Sequence, residues 1–356
     1  MSCEFWNRRV KTLSPYVPGE QPRIPGLIKL NTNENPYPPS PKVIEAVKNA
    51  AAENLRLYPD PACTALRAVI AEKYGVAPEQ VFTGNGSDEV LAFAFGAFFE
   101  AEPPPLLFPD ITYSFYPVYA KLWGIPYSEI PLRGDFTIDT GAYSGGGGAI
   151  FPNPNAPTGI ALPVSAVTGL AKRLAADNKV LIVDEAYQAF GAESAVPFIN
   201  ENPNLLTVHT LSKAASLAGL RAGFAVGQRP LIEALERVRD SFNSYTMDAV
   251  AQAAACAAIL DGAYYEAVNQ KVIKTRERVM AALAALGFTS LPSSANFIFT
   301  KPPLPLNAAR LSSLLRENGV LVRHFDKNRV RDYLRVSIGG DNGMDKFLEV
   351  CACAIR

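Results

Sequence analysis

Thr210-Leu211-Ser212-Lys213, with Arg221 eight positions beyond the lysine, is the stretch of this chain best equipped for covalent chemistry. Only Ala, Ser, Leu and Gly separate Lys213 from Arg221, so no carboxylate neighbours the amine in sequence. A lysine that attacks carbonyl carbon must lose its proton near neutrality, and a dry pocket holding a second cation favours that loss. This is the setting of a Schiff-base lysine. A solvated loop lysine would show the same residues, so the rest of the chain has to decide.

Other groups stand where such chemistry would use them. Val180–Val183 runs into Asp184-Glu185-Ala186-Tyr187, which puts a carboxylate at the carboxyl end of a buried strand, the edge where open α/β sheets bind ligands. A buried carboxylate needs a cation or a donor, and a protonated ring nitrogen would supply one; a helix cap at Asp184 and a packed Tyr187 is the plainer alternative. In Asn153-Pro-Asn155-Ala-Pro-Thr-Gly159 two prolines hold Asn155 in one orientation, ready to donate its amide to an oxygen, unless the segment is a surface turn. Gly84-Asn-Gly86-Ser87-Asp88-Glu89 opens like a dinucleotide fingerprint, but Glu89 occupies the third glycine position. What remains is a glycine turn opening a helix, where Ser87, Asp88 and free N–H groups would seat a phosphate monoester. Near the end, Leu334, Val336 and Ile338 share one strand face and leave Arg335 on the other, free to grip an anion bidentately; Arg323 ends Val320–Val322 in a similar way. Solvated salt bridges would explain either arginine taken singly.

These groups need elements to hold them. Short runs at Gln80–Thr83, Pro105–Phe108, Tyr127–Pro131, Ala149–Phe151, Val180–Val183, Leu205–His209 and Ala222–Val226 read as strands, and most are uniformly apolar, which suits a sheet covered on both faces. Helices fit between them at Asp88–Phe99, Ser114–Trp123 and Val164–Asp177, and the fold class is α/β with about seven mostly parallel strands. Upstream, Ser40-Pro41 caps one helix and Gly75 stops another. Beyond Tyr245 come an Ala-rich helix, Val250–Leu260, and a long one, Tyr264–Leu286. Strands at Asn296–Thr300, Val320–Arg323 and Tyr333–Ile338 follow, with helices at Asn307–Glu317 and from Met344. The expected division is an arm over 1–30, rich in proline, that packs on the small domain or a partner; a large domain over 31–250; and a smaller α/β domain over 251–356.

In this order the glycine turn, NPNxPTG, DEAY, TLSK, the arginine after it and the late LRVSIG resemble the pyridoxal-phosphate aminotransferases of fold type I over nearly the whole chain. Leu13-Ser-Pro-Tyr16-x-Pro-Gly19, Ile28-Lys-Leu-Asn-Thr-Asn-Glu-Asn-Pro36, Tyr58-Pro-Asp and Val322-Arg323-His324-Phe325 are similar to histidinol-phosphate aminotransferases in particular. The resemblance implies pyridoxal 5′-phosphate bound covalently at Lys213, which also moves the substrate proton. It implies Asp184 at the ring nitrogen, Tyr187 and Asn155 at the phenolic oxygen and Tyr113 on the ring face. The phosphate would fall to Ser87, Asp88, Thr210, Ser212 and Arg221, with Tyr58 reaching in from a neighbouring subunit of a homodimer. On the substrate side it implies Arg335 for the carboxylate, with Asn155 nearby, and Arg323 with Tyr16 for the phosphate end. Ser244-Tyr-Thr-Met-Asp248 and Ser337-Ile-Gly-Gly340 depart from that pattern and bear on substrate identity. An aromatic-amino-acid aminotransferase or a threonine-phosphate decarboxylase fits the same motifs. A binding module that kept this fold is a further alternative.

Composition narrows the partners. Lys plus Arg equals Asp plus Glu at 34 each, so no net field draws in nucleic acid or an acidic membrane. Small molecules are the expected partners. Five cysteines without a CxxC pair and two histidines indicate neither a disulfide framework nor a metal site. The opening residues lack a signal-peptide core, and the longest apolar run, Val90 to Phe99, is well short of the ~20 residues of a membrane span. A reducing cytoplasm is the expected compartment.

Overall fold

Seven strands lie side by side in one sheet, and the order in which the chain fills them decides which side chains meet. The computed structural model describes residues 4–22, 24–51 and 53–355. An arm with a short helix α1 (Arg8–Thr12) and a strand β1 (Ile28–Lys29) leads to α2 (Pro41–Ala50) and α3 (Thr64–Tyr74). Ser40 Oγ accepts from Val43 N at 3.3 Å to cap α2, and Gly75, at φ +66°, closes α3. Then come β2 (Val81–Gly84), α4 (Ser87–Phe98), β3 (Leu106–Pro109), α5 (Tyr116–Trp123), β4 (Tyr127–Ile130), β5 (Ala149–Pro152) and α6 (Val164–Ala176). β6 (Leu181–Asp184), β7 (Leu205–Thr210) and β8 (Gly223–Val226) complete the sheet, and α7 (Arg229–Phe242), α8 (Ala249–Leu260) and α9 (Gly262–Ala285) follow.

The order across the sheet is β2-β8-β7-β6-β5-β3-β4. Strands β4, β3, β5, β6 and β7 run parallel, whereas β8 runs against both β7 and β2. Every residue of β2, β3, β5, β6 and β8 is buried, which is why these strands read as unbroken apolar runs. One face carries Val90 and Phe95 of α4, Tyr116 of α5 and Ile232 of α7; the other carries Val43 of α2, Ile70 of α3, Val167 of α6 and Ala254 of α8.

The last quarter of the chain forms a four-stranded antiparallel sheet, β12-β13-β10-β9, from β9 (Thr289–Ser290), β10 (Phe297–Lys301), β12 (Arg323–His324) and β13 (Leu334–Ser337). Helices α10 (Ala308–Glu317) and α11 (Asp341–Ala354) pack on it. The single strand expected over Val320–Arg323 is two: β11 (Val320–Leu321) pairs in parallel with β1 of the arm, and β12 pairs with β13. Two different hydrogen-bonding partners divide one apolar run. The division expected at residue 250 falls at the start of α8. The alanines of α8 (Ala251, Ala254, Ala255) are small enough to let it lie against α2 and α3 in the large core, so the change of core falls within α9, between Tyr265 and Val272. Among the described residues no helix is long and apolar enough to cross a membrane.

Candidate active site

The parallel strands deliver their carboxyl ends to one edge, and the side chains just beyond them enclose a cavity of about 130 Å³. Asp184 closes β6, Thr210 closes β7, Pro152 closes β5, and Ser87 starts α4 after β2. Lys213 and Arg221 both belong to the connection from β7 to β8, whose flanking residues Thr210 and Gly223 pair across the sheet. Ser87, Asp88, Tyr113, Asp184, Tyr187, Thr210, Ser212, Lys213 and Arg221 all line this one cavity. Residues as far apart in sequence as Ser87 and Arg221 are therefore within reach of one small ligand.

Electrostatics give the cavity two ends. At one end Asp184 is buried, accepting from Ala186 N at 3.1 Å and from the Tyr116 hydroxyl at 3.2 Å. Burial pushes its carboxyl up to about 6, against the pull of those donors and of Lys213. A cation placed beside it would relieve that cost. At the other end Arg221, held in the left-handed region at φ +52°, lays its guanidinium over Gly86 so closely that a Cβ there would sit 2.8 Å from Nη2. A Cβ on Gly223 would meet Ser87 N at 2.4 Å, so β8 can pass the first turn of α4 only as glycine. Guanidinium, the Ser87 and Ser212 hydroxyls and a helix N-terminus together form an anion seat.

Asp88 lines the cavity beside Ser87. Expected as a phosphate ligand, its carboxylate pairs with Arg221 Nη2 at 2.8 Å and accepts from Tyr113 Oη at 2.8 Å. An anionic side chain repels a phosphate, so this group orients Arg221 and Tyr113, and the anion is left the backbone N–H groups of α4. Asn155 is the immediate neighbour of the cavity-lining Ala156. It is buried, its Nδ2 donates to Ile111 O at 3.0 Å and to Thr158 Oγ1 at 3.2 Å, and Thr112 Oγ1 donates to its Oδ1 at 3.2 Å. Those bonds hold Asn155 as a brace of its loop, and Pro152 and Ala156 line the cavity in its stead.

Beside Tyr187 stands the small sheet. Arg335 donates from Nη2 to Asn31 O at 2.8 Å, lies over the Phe297 ring at 5.5 Å, and leaves its buried Nε without a partner. Arg323 is its direct cross-strand neighbour, and among the described residues neither guanidinium pairs with a carboxylate. Two like charges opposed across a ladder destabilise it unless an anion comes between them or beside them. Burial draws Arg335 below the ordinary arginine value; Tyr187 offsets this, Arg323 adds to it, and Tyr16 and Tyr113 offset it further. Tyr16 stacks on Phe115 at 4.6 Å, so the arm returns to the mouth of the cavity. Tyr58 does not converge: it is 82 % exposed and stacks on Tyr245 at 4.5 Å, away from the cavity of its own chain.

Asn33 and Tyr116 were not among the expected site residues. Asn33 donates to Tyr187 Oη at 2.9 Å, and Tyr116 to Asp184. Asn33 lies in the run Asn31-Thr-Asn-Glu-Asn35, whose asparagines tolerate the left-handed backbone it adopts at φ +56°. That composition was the one signal available. A larger cavity, about 400 Å³, is elsewhere, lined in part by Lys73, Tyr74, Glu185, His209 and Asn269, and touches the smaller one only through Ala186 and Thr210. Its Glu185 is held by Ser194 Oγ and Ala195 N, each at 2.6 Å. Size therefore does not locate the chemistry; the joint presence of Lys213, Asp184 and Arg221 does.

Known proteins resemble this chain over nearly its whole length. The pattern described as aminotransferase class I and II matches residues 25–350. A histidinol-phosphate aminotransferase 1 of Bordetella parapertussis is 55% identical, covering 95% of each chain, and one of Bradyrhizobium diazoefficiens is 54% identical over 97% of this chain and 98% of its own. The crystal structure of histidinol-phosphate aminotransferase from Sinorhizobium meliloti in complex with pyridoxal-5′-phosphate superposes with a TM-score of 0.87 at 24% identity, covering 100% of this chain and 98% of that one, a likeness of fold.

Proposed function

The chain belongs to the class I and II aminotransferases, and on that premise we propose that it moves an amino group between glutamate and imidazole-acetol phosphate, forming histidinol phosphate in histidine biosynthesis. The resident cofactor of this reading is pyridoxal 5′-phosphate. Its fit rests on the cavity itself: a buried carboxylate lacking a cation at one end, an anion seat at the other, and an amine between them. When bound, pyridoxal phosphate supplies an aldehyde for amines and a ring that accepts the electron pair released at a substrate carbon.

The chain's residues do the rest. Lys213 would hold the cofactor through its amine and would carry the proton that leaves the substrate carbon. Asp184 keeps a proton on the ring nitrogen, because its own buried charge is satisfied only by a cation. Tyr187 donates its hydroxyl hydrogen to the ring's phenolic oxygen, and Tyr113 covers the ring face. Arg221, Ser87, Ser212 and Thr210 hold the phosphate with the N–H groups of α4. Arg335 takes the glutamate carboxylate. Arg323, with Tyr16 from the arm, meets the phosphate of the other substrate.

The observation that carries the reading is the convergence of Lys213, Asp184 and Arg221 on one cavity, with a carboxylate-free arginine pair beside it. A homodimer extends it: Tyr58, exposed on its own chain, would complete the partner's phosphate seat. Cys63, Cys256, Cys351 and Cys353 are free thiols, which fits a reducing compartment such as the cytoplasm, while Cys3 lies outside the described residues. Amino transfer from glutamate to imidazole-acetol phosphate, measured against phenylpyruvate, tests the substrate. A much larger kcat/KM for phenylpyruvate overturns the assignment in favour of an aromatic aminotransferase. Lys213→Ala should cut either transfer by at least ~10²–10⁴-fold, the usual worth of one acid–base group; full activity in that variant removes the lysine from its role.

A further inference from the structure

Residues 31–35 contribute nothing to the lining of the catalytic cavity, yet they touch three of the side chains that act at it. Asn31 O accepts from Arg335 Nη2 at 2.8 Å. Thr32 O accepts from Lys213 Nζ at 3.3 Å. Asn33 Nδ2 donates to Tyr187 Oη at 2.9 Å, and Asn35 Nδ2 donates to the backbone carbonyl of Lys213 at 3.0 Å. The centre of this segment is fixed from the small domain: Asn33 N donates to Ser337 Oγ at 2.8 Å, Ser337 Oγ donates back to Asn33 Oδ1 at 2.9 Å, and Asn296 Nδ2 donates to Asn33 O at 2.9 Å. Asn33 is 1% exposed and sits at φ +56°. Ser337 lies two residues after Arg335 on β13, so the strand that presents the arginine also seats Asn33.

We propose that Asn33 is a positioning residue, which aims the Tyr187 hydroxyl into the cavity and makes residues 31–35 the link by which an anion at Arg335 acts on Tyr187 and Lys213. A phenolic oxygen has one hydrogen and two lone pairs. Asn33 occupies a lone pair, so the hydrogen is left for an acceptor on the cavity side. Donation into the oxygen also makes the hydroxyl a stronger donor in its turn. The link follows from Arg335: Asn31 O is its one hydrogen-bond acceptor among the described residues, and a carboxylate arriving at the guanidinium competes for the same N–H. Release of Asn31 O shifts the backbone whose next carbonyl holds the Lys213 amine and whose next side chain holds Tyr187. The titratable and charged groups facing Tyr187 are Lys213 from the β7–β8 connection, Asp184 from β6, Tyr113 after β3, Arg335 from β13, and the Asp88–Arg221 pair across the cavity.

This inference rests on the pyridoxal-phosphate reading, and its test reads the pH midpoint of the visible absorption band of the loaded protein. Asn33→Gly removes the amide while keeping a residue at home in the left-handed region. Loss of one ordinary hydrogen bond behind Tyr187 weakens its donation to the phenolic oxygen and should raise the midpoint by roughly 0.5–1 pH unit. In a Tyr187→Phe background the same substitution should add nothing, because the group it acts through is gone. Asn33→Asp turns the hydroxyl hydrogen toward the new carboxylate and should match or exceed the Tyr187→Phe shift. Glutarate, an unreactive dicarboxylate, should move the midpoint of the native protein at least twice as far as that of Asn33→Gly. A midpoint unmoved by Asn33→Gly, or a shift that persists undiminished without the Tyr187 hydroxyl, overturns the positioning role; an equal glutarate response in both proteins overturns the link. Absence of any Lys213-dependent band would instead strike the cofactor reading itself.

Discussion

Asp184 stands where ionisation is costly until a cation arrives, and that can be read without any turnover. Its carboxyl is pushed from the ordinary 3.8 to about 6, chiefly by burial. The cost of the charged form is therefore absent below pH 4 and fully present above pH 6, worth at most about 3 kcal/mol at ~1.4 kcal/mol per pH unit. Asp184→Asn should accordingly stabilise the cofactor-free protein relative to the native chain at pH 8 and leave it unchanged near pH 4, measured by urea unfolding. Glu185, pushed up to about 7 by burial, and His209, pulled down to about 3 by burial, are present in both proteins, so to first order the difference isolates Asp184. An asparagine variant no more stable at pH 8 would mean that Asp184 is not desolvated as described. In the loaded protein the sign reverses, and cofactor affinity should fall. Lys213, Asp184 and Tyr187 could be singled out because each lies at or within three residues of a strand end, Arg335 because it lies on a strand, and Arg221 by its spacing from the lysine. Tyr116 and Asn33 could not be, because their partners lie 68 and 154 positions away. The pairing of Asp88 with Arg221 was hidden for a related reason: the arginine is 133 positions on.

At the level of elements, the close pass of β8 over the start of α4 is the tightest constraint on the phosphate seat. Gly223→Ala drives a Cβ to 2.4 Å from Ser87 N and 2.5 Å from Gly86 C, both of them backbone atoms with no side-chain freedom to yield. Pyridoxal-phosphate affinity should drop at least about tenfold, each ~1.4 kcal/mol lost at the seat being a factor of ten. Equilibrium dialysis that finds native affinity would show that the seat is not built there. Ser40→Ala removes the N-cap of α2, far from the chemistry, and should lower stability by about 1 kcal/mol with kcat unaltered, as chemical denaturation and steady-state rates would report. The inner strands of the sheet could be read from apolar runs because burial on both faces imposes that composition, whereas the edge strand β4 is partly exposed and carries Ser128 and Glu129. The break between β11 and β12 could not be read, since Val320-Leu-Val-Arg323 carries no turn residue and the change of partner comes from the arm.

Across the whole molecule, Leu55, Leu57, Tyr58, Phe242 and Tyr245 are large and exposed, more apolar surface than one stretch of a monomer ordinarily shows to water. A two-fold assembly that covers them should appear as a dimer in sedimentation equilibrium. Its shared sites can be tested by mixing. A hybrid of a Lys213→Ala chain with a Tyr58→Ala chain carries both lesions in one site and neither in the other, so it should recover activity that the parents lack. No recovery on mixing would confine Tyr58 to its own subunit.

The bond from Asn33 to Ser337 spans 304 positions of sequence. At a translation rate of ~5–20 residues per second, the amide made first waits roughly 15–60 s for the hydroxyl that fixes it. Only over the last 124 positions, from Lys213 to Ser337, does the nascent polypeptide hold its lysine, its acid and its glycine turn without the tie that aims them. The tie can therefore close only after nearly the whole chain has been made, so the aim of Tyr187 is among the last features of the site to be set.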